Sequence, residues 1–293
     1  MDLLALTDFI LVARHAGFGK AARAAGRPKA TLSRRVAELE AAMDVRLLER
    51  GPRTLKLTEE GRALFERAGH LLHELEETTT AIATGGETPR GPLRISAPLL
   101  LSQVAMGRIA GSFCRAYPEV RLEVTTEDRA VDMIEEGFDL VIRVNPAPDE
   151  ALVGRVFLRD RLVVVAHPDL RAEKPVPGIV RTRSESTQWS VKAPGGPGTI
   201  EVEPTLVLSS MIMIRDAVRT GIGAARLPLS LVSGDLSEGR LVSWGDVEGS
   251  EIALWALYPT RRLLSARVSA FLDHLREAFP DGTPDELAAY VAG

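Results

Sequence analysis

"GRPKATLSRRVAELE", residues 26–40, carries two different stripes on one helix. At about 100° per residue, Leu32, Val36, Leu39 and Met43 fall on one narrow line, an ordinary core face. Lys29, Ala30, Ser33, Arg34 and Ala37 fall on a second line, roughly a third of a turn away. Pro28 stands where the first helical turn begins, a position at which a missing N–H loses nothing. A short helix through "KAARAA" precedes it, separated only by Gly26 and Arg27. Two helices joined by so tight a turn make a helix-turn-helix, whose second helix enters the major groove by its N-terminal half. The second stripe is therefore expected to meet base edges and phosphates.

The flanking segments extend this unit. Leu3, Leu6, Phe9, Ile10 and Ala13 form a helical stripe that ends near Gly17. "VRLLERGPRTLKLT" (45–58) alternates apolar and polar residues around a "GPR" turn and predicts a hairpin with Arg50 and Arg53 at its tip, a wing beside the recognition helix. Thr58 is a plausible N-cap for "EEGRALFERAGHLLHELEETTTAIAT" (59–84). Along that segment Leu64, Ala68, Leu71, Leu75, Thr78 and Ile82 repeat as a heptad seam. A helix of this size, about 39 Å long, is too long for one small domain, so pairing with a second chain is expected to bury the seam. A dimer would set two recognition helices about 34 Å apart, one turn of DNA. His70 and His73 lie three apart on the same helix with no third metal ligand nearby, and read as solvated side chains.

Charge is unevenly spread. The chain of 293 residues has a net charge of −4, yet from Arg14 to Lys56 eleven lysines and arginines, Lys20 among them, face only Glu38, Glu40, Asp44 and Glu49. That local excess of +7 leaves −11 on the remainder, so a basic head sits on an acidic body, a pattern that points to a polyanion at one end. With 45% hydrophobic and 26% charged residues the composition is that of a globular protein. No run of about 18 apolar residues is present, so no membrane span is expected. "MDLLALTDFILVARH" lacks a basic leader and a cleavage site and reads as a helix of the fold. The single cysteine, Cys114, cannot close an intrachain disulfide and suits a reducing cytoplasm.

"GFGKAARAAGRPKATLSRRVAELEAAMDVRLLERGPRTLKLTEEG" resembles the DNA-binding domain of LysR-type transcriptional regulators. The likeness rests on Phe18, Ala21 and Ala22, on Leu32-Ser33-Arg34-Arg35, on Leu39-Glu40, on "VRLLER", and on Leu57-Thr58 with Gly61. It implies a winged helix-turn-helix whose DNA contacts come from Lys20, Lys29, Ala30, Thr31, Ser33, Arg34, Arg50 and Arg53. One departure stands out. Where the family usually has Ser-Gln-Pro or Ser-Gln-Ser, this chain has Pro28-Lys29-Ala30. Lysine can donate to guanine O6 and N7 but cannot make glutamine's paired contact with adenine, so the operator should differ accordingly.

Beyond "TGGETPRGP" (84–92), a hinge of glycines and prolines, the pattern turns to strands alternating with helices. "LRIS", "VRLEVTT" and "FDLVIRV" read as strands around the helices "SQVAMGRIAGSFCRAYP" and "AVDMIEEG". "DRLVVVAHP" begins a second such unit, which runs through "IVRT", "TLVLSS", "MIMIRDAVRTG" and "IGAARLP" to "EIALWALYP" and the helix "RRLLSARVSAFLDHLREAF". Such alternation implies a parallel, doubly covered sheet. "GPLRISAP", "YPEVRLEVTTEDRAVDMIEEGFDLVIRV", "GIGAARLP" and "GRLV" are similar to the family's effector domain, nearest to the subgroup that regulates malate utilisation and neisserial adhesion genes. The likeness covers 91–165 and 205–280; between about 170 and 200 the chain departs from the family and is shorter. The expected fold class is mixed: a winged helix-turn-helix (1–60), a dimerisation helix (61–84), a hinge (85–92), and a two-lobed α/β domain like the periplasmic binding proteins. Lobe I takes 93–160 with 258–293, and lobe II takes 161–257.

In a two-lobed fold the ligand sits in the cleft outside the carboxyl ends of the strands. That places Ala97, Pro98, Leu99, Leu100 and Ser102 after the first strand, Arg143 and Asn145 after the third, and Ser209, Ser210 and Ala224 in the second lobe. A helix start favours an anion, so a small carboxylate is one expectation. The apolar residues at 97–101 favour a hydrophobic effector as the other. The resulting function is sequence-specific regulation of a promoter as a homodimer or homotetramer, with RNA polymerase as an associated partner. A regulator that answers to a protein partner is the rival. An enzyme on the two lobes is the remaining alternative, but no G-x-G-x-x-G, Walker loop or G-x-S-x-G stands at a strand-to-helix turn, and no cofactor or metal motif is found. "TPDELAAYVAG" is open between a docked helix and a loose tail.

Overall fold

Helix α1 (Leu3–Arg14) begins where the Asp2 carboxylate accepts the Leu4 N–H at 2.9 Å, an N-cap. The structure, a computed structural model, describes all residues except 1, 51–54, 85–87, 130–132, 134–135, 149–151, 172–173, 260–263 and 292–293, together with the side chains of 50, 66, 70, 73–74 and 76–84. Helix α2 (Phe18–Ala25) stops at Gly26, whose φ of 61° is the left-handed conformation that glycine adopts without a Cβ penalty. Helix α3 (Lys29–Met43) starts directly after Pro28, which holds the extended N-cap position one residue ahead of the first turn. Leu32, Val36 and Leu39 of α3 are buried with Leu6, Phe9, Ile10 and Val12 of α1 and Ala21 of α2, forming the core of the head. Strands β1 (Leu48–Arg50) and β2 (Leu55–Leu57) pair antiparallel, Leu48 opposite Leu57, as the expected wing.

Three residues of the family-like pattern fasten the wing. The Glu40 carboxylate accepts the N–H groups of Leu47 and Leu48 at 2.8 and 3.0 Å, tying the end of α3 to the start of β1. Thr58 accepts the Gly61 N–H at 2.9 Å and donates its hydroxyl to the Arg46 carbonyl at 2.7 Å, so it caps helix α4 (Glu59–Thr84) and anchors the strand before it. Gly61 lets α4 press on that strand, since a Cβ there would lie 1.9 Å from the Leu47 carbonyl oxygen.

The chain divides into two compact units, one of Met1–Thr88 with Ile134–Gly137, the other of Pro89–Met133 with Phe138–Gly293. In the second unit β3 (Gly91–Ala97) leads through α5 (Leu99–Leu101), a π-helical turn (Ser102–Met106) and α6 (Gly107–Ala116) to β4 (Val120–Thr126) and β5 (Leu140–Val144). β3 lies between β4 and β5, parallel to both, as expected for lobe I. The expected helix at 130–137 lies largely outside the described residues.

The sheet is not parallel throughout. β6 (Leu152–Ala166) and β11 (Val242–Pro259) are long, mutually antiparallel strands that serve both lobes. A chain that passes from lobe I to lobe II and returns must run both ways, which the alternation of short strands and helices did not reveal. Lobe II adds β7 (Val176–Val180), β8 (Gln188–Ala193), β9 (Gly196–Val207), α7 (Met211–Arg219), β10 (Ala225–Pro228) and α8 (Leu229–Ser237). β8 and β9 form a hairpin about Pro194–Gly195 in the stretch where the sequence resembles the family least. Helix α9 (Ala266–Ala278) returns to lobe I, burying Val268, Phe271 and Leu275 against Phe113 and Ile109.

The C-terminal stretch is a docked helix, α10 (Pro284–Val291). The Glu286 carboxylate caps it by accepting the Asp281 and Thr283 N–H groups, both at 3.0 Å. Leu287 is buried in the core of lobe I, while Val291 packs against that of lobe II.

In most helices Gly→Ala stabilises by up to about 1 kcal/mol. Gly61→Ala should instead destabilise the head by about 1–3 kcal/mol, the usual effect of overpacking. Thermal unfolding reads the sign, and a raised midpoint would show that α4 and β1 do not meet so closely.

Candidate functional site

On α3 the two stripes separate as the helical wheel requires. Leu32 and Val36 are fully buried, while Lys29, Ala30, Arg34 and Ala37 are exposed and Thr31 and Ser33 half-buried. Lys20 on α2 is exposed as well. Arg34 reaches Glu38 one turn on, at 2.6 Å, with both side chains more than half exposed. Such a pair contributes only about 0.3–0.5 kcal/mol, so the guanidinium is readily redirected. The Arg50 side chain and all of Arg53 lie outside the described residues. Along α4, Leu64 and Ala68 turn out to pack into the head's own core, because the helix leaves the wing across α1. Leu71 and Leu75, further along, are 55% and 48% exposed. The side chains of Thr78 and Ile82 are outside the described residues, as are those of His70 and His73.

Between the lobes lies a cleft of about 370 Å³. Its walls are mainly apolar: Leu99, Leu100 and Leu101 from lobe I, Leu162, Met211 and Pro228 from lobe II, Ile252 and Leu254 from β11, and Leu287 from α10. Of the residues expected there, Pro98, Leu99, Leu100, Arg143 and Ser209 do line it. The other five are placed elsewhere, for identifiable reasons. Ala97 and Ala224 are fully buried; Ala224 accepts the Ile179 N–H at 2.9 Å and so belongs to the sheet of lobe II. Asn145, at φ 42°, turns its side-chain amide onto β11, donating to the Glu251 carbonyl at 2.7 Å and accepting the Ala253 N–H at 2.8 Å. Ser102 turns back on the Ala97 carbonyl at 3.4 Å, and Ser210 is the N-cap of α7 without a side-chain cap bond.

Of the charged groups of the cleft, Arg143 was expected there and the others escaped the sequence reading. Asp128 places a carboxylate oxygen 2.9 Å from the Leu99 N–H, so the helix start expected to attract an anion already holds one. Arg143 donates to the Ile142 carbonyl at 2.7 Å and to the buried Ser96 hydroxyl at 2.8 Å. Glu127 pairs with Arg129 at 3.3 Å. Arg181, at the end of β7, is the exposed cation on the lobe II side. Arg143 is legible from its strand end; Glu127 and Asp128 directly follow β4 and Arg181 directly follows β7, so the same strand-end signal could have found them.

Among the described residues no cluster of ligands could hold a metal ion, and no helix is long and apolar enough to cross a membrane. One trio resembles a hydrolytic triad: Ser112 Oγ lies 2.8 Å from His274 Nε2, and His274 Nδ1 lies 3.9 Å from Glu277. Ser112 also donates to the Ile109 carbonyl at 3.0 Å and sits inside α6, whose amides are spent on helical bonds and cannot form an oxyanion hole. The trio ties α6 to α9.

Asp160, on β6 at the base of the cleft, accepts the Ser230 hydroxyl at 2.6 Å and the Arg161 N–H at 2.8 Å. Burial raises its carboxyl above the ordinary 3.8, outweighing these bonds and the Arg161 charge, which lower it. The folded state thus holds the proton more tightly than the unfolded one. That contribution to stability is present below 3.8 and is lost as pH rises through the higher folded value. Asp160→Asn should therefore raise the unfolding midpoint at neutral pH and leave it unchanged in acid. Equal shifts at both would mean that ionisation plays no part.

Residues 3–62 match the family described as bacterial regulatory helix-turn-helix protein, lysR family, and residues 86–280 match the LysR substrate binding domain. The transcriptional regulator PtxR of Pseudomonas aeruginosa is 30% identical over 292 residues, which span 94% of this chain and 93% of that protein. DmlR of Escherichia coli is 28% identical, spanning 96% and 95%. The solved structure of CrgA, a LysR-type transcriptional regulator from Neisseria meningitidis, superposes with a TM-score of 0.58 at 26% identity, over 96% of this chain and 100% of that one. With both domains present in order over nearly its whole length, the chain belongs to the LysR-type transcriptional regulators.

Proposed function

We propose that this regulator works in the cytoplasm as a dimer or tetramer, reads promoter DNA with the outer face of α3, and answers to a predominantly apolar effector. One observation carries the first part: Lys29, Ala30, Arg34 and Ala37 point to solvent from the helix whose opposite face holds the core. Lys29 and Arg34 supply donors for guanine or phosphate, Ala30 and Thr31 apolar contact for thymine methyl groups, and Ser33 and Lys20 backbone contacts. On this reading Arg50 and Arg53 of the wing add contacts to the DNA backbone. Leu71 and Leu75 support pairing through the far part of α4, continuing to Thr78 and Ile82. Control at the promoter then acts on RNA polymerase.

The apolar effector follows from the cleft's own bonding. The helix start is capped by Asp128, Arg143 is held on Ser96, and hydrocarbon makes up most of the walls. A compact dicarboxylate would find little to replace its hydration there, because removing it from water without paired donors is unfavourable. A longer apolar molecule buries its body between Leu99–Leu101 and Ile252–Leu254, with a polar end toward Ser209 and Arg181. To change DNA binding it must favour one arrangement of the lobes over another.

Genomic fragments retained by the protein should share a pseudo-palindromic site and release steeply with salt. Arg34→Ala should weaken binding to them by about 1–3 kcal/mol with little change in melting temperature. Fragments without a common site, held equally by the variant, would refute the reading surface.

The effector half is checked separately by calorimetry. Octanol and octanoate should both bind, and succinate should not. Succinate binding without octanol would overturn the apolar cleft while leaving the DNA surface intact.

A further inference from the structure

Asp8 has no exposure to solvent and lies on α1 among the apolar residues of the head. Its two oxygens take one arginine each: Arg27 Nη1 at 2.5 Å from the turn before α3, and Arg35 Nη1 at 3.2 Å from α3 itself. The Arg27 side chain remains 41% exposed and that of Arg35 26%. A buried ion cluster of this kind is a poor device for stability, since well-packed apolar residues commonly do as well. Its position is more telling. Arg27 stands two residues before Lys29, and Arg35 directly follows Arg34, so both cations border the face that meets DNA.

Long arginines beside a reading face would ordinarily reach for phosphates, which adds affinity for any sequence alike. We propose that Asp8 determines specificity by withholding Arg27 and Arg35 from the DNA backbone. It turns two cations of the basic head into struts that fix α3 against α1. The sequence-independent attraction is thereby limited, and the angle of the recognition helix is set by an internal contact. This inference rests on the reading of α3 as the DNA-contacting helix, and the experiment separates the two.

The full chain is titrated onto a fluorescent random-sequence duplex over a salt series, and the slope of log affinity against log salt is measured. Arg27→Gln should leave the slope unchanged, because that arginine does not meet a phosphate. Asp8→Asn should tighten binding to random DNA and steepen the slope by about 0.9 for each arginine released. Adding Arg27→Gln and Arg35→Gln to Asp8→Asn should restore the original slope, an outcome that a purely structural role would not produce. A slope that flattens by about 0.9 with Arg27→Gln, or that fails to steepen in a folded Asp8→Asn variant, overturns the proposal. If Asp8→Asn does not fold, the Arg27→Gln result decides. Arg34→Ala is the control: if it also leaves the slope unchanged, the α3 reading has failed rather than the role of Asp8.

Discussion

The antiparallel pairing of β6 with β11 is the constraint on which the effector unit depends. These strands stay paired from Leu152 and Pro259 in one lobe to Ala166 and Val242 in the other, with register shifts at Ser243/Gly245, Asp246/Glu251 and Leu254/Trp255. On one flank β11 carries β5 and through it the parallel strands of lobe I; on another, β6 carries β10. The cleft forms where the strands pass between the lobes. Asp160 and Leu162 of β6 and Ile252 and Leu254 of β11 line it for that reason. A shared pair of strands also allows the lobes to tilt without breaking the chain's main hydrogen-bonded ladder.

The chemistry of the cleft is largely internal bookkeeping of charge. Each strongly polar group that the backbone brings inward meets a partner from this chain: Asp128 the Leu99 amide, Arg143 the Ser96 hydroxyl, Asp160 that of Ser230. What is left for a visitor is mostly hydrocarbon. The head follows the opposite logic, keeping Lys29 and Arg34 at the surface.

The head was the more legible of the two in the sequence. Helix periodicity placed Leu32, Val36 and Leu39 in the core, and local signals at Gly26, Pro28 and Thr58 marked boundaries to within a residue. Those signals act over a few residues, as the forces behind them do. The cleft depends on contacts between distant segments, and there half of the expected residues were displaced. Ala224, after α7 and directly before β10, pairs with Gly178 within the sheet, and Asn145 imitates a backbone group along β11. The β8–β9 hairpin did leave a trace: Trp189 and Val191 alternate with exposed Gln188, Ser190 and Lys192 before a Pro-Gly turn. Gly196, Pro197 and Gly198 after that turn obscured the strand pattern. Along α4 the heptad spacing was real, but Leu64 and Ala68 serve the chain's own core, which spacing cannot distinguish from an interface.

Helix α10 holds a place that makes it more than a terminus. Leu287 is embedded in one lobe and Val291 rests on the other, while Arg108 of α6 lies over the Tyr290 ring at 4.6 Å and donates to its carbonyl. Any swing that widens the gap must peel this helix from one of its two beds. The molecule therefore carries its own latch, and the ease of admitting a guest is written partly in a segment that contributes only a single leucine to the chamber itself.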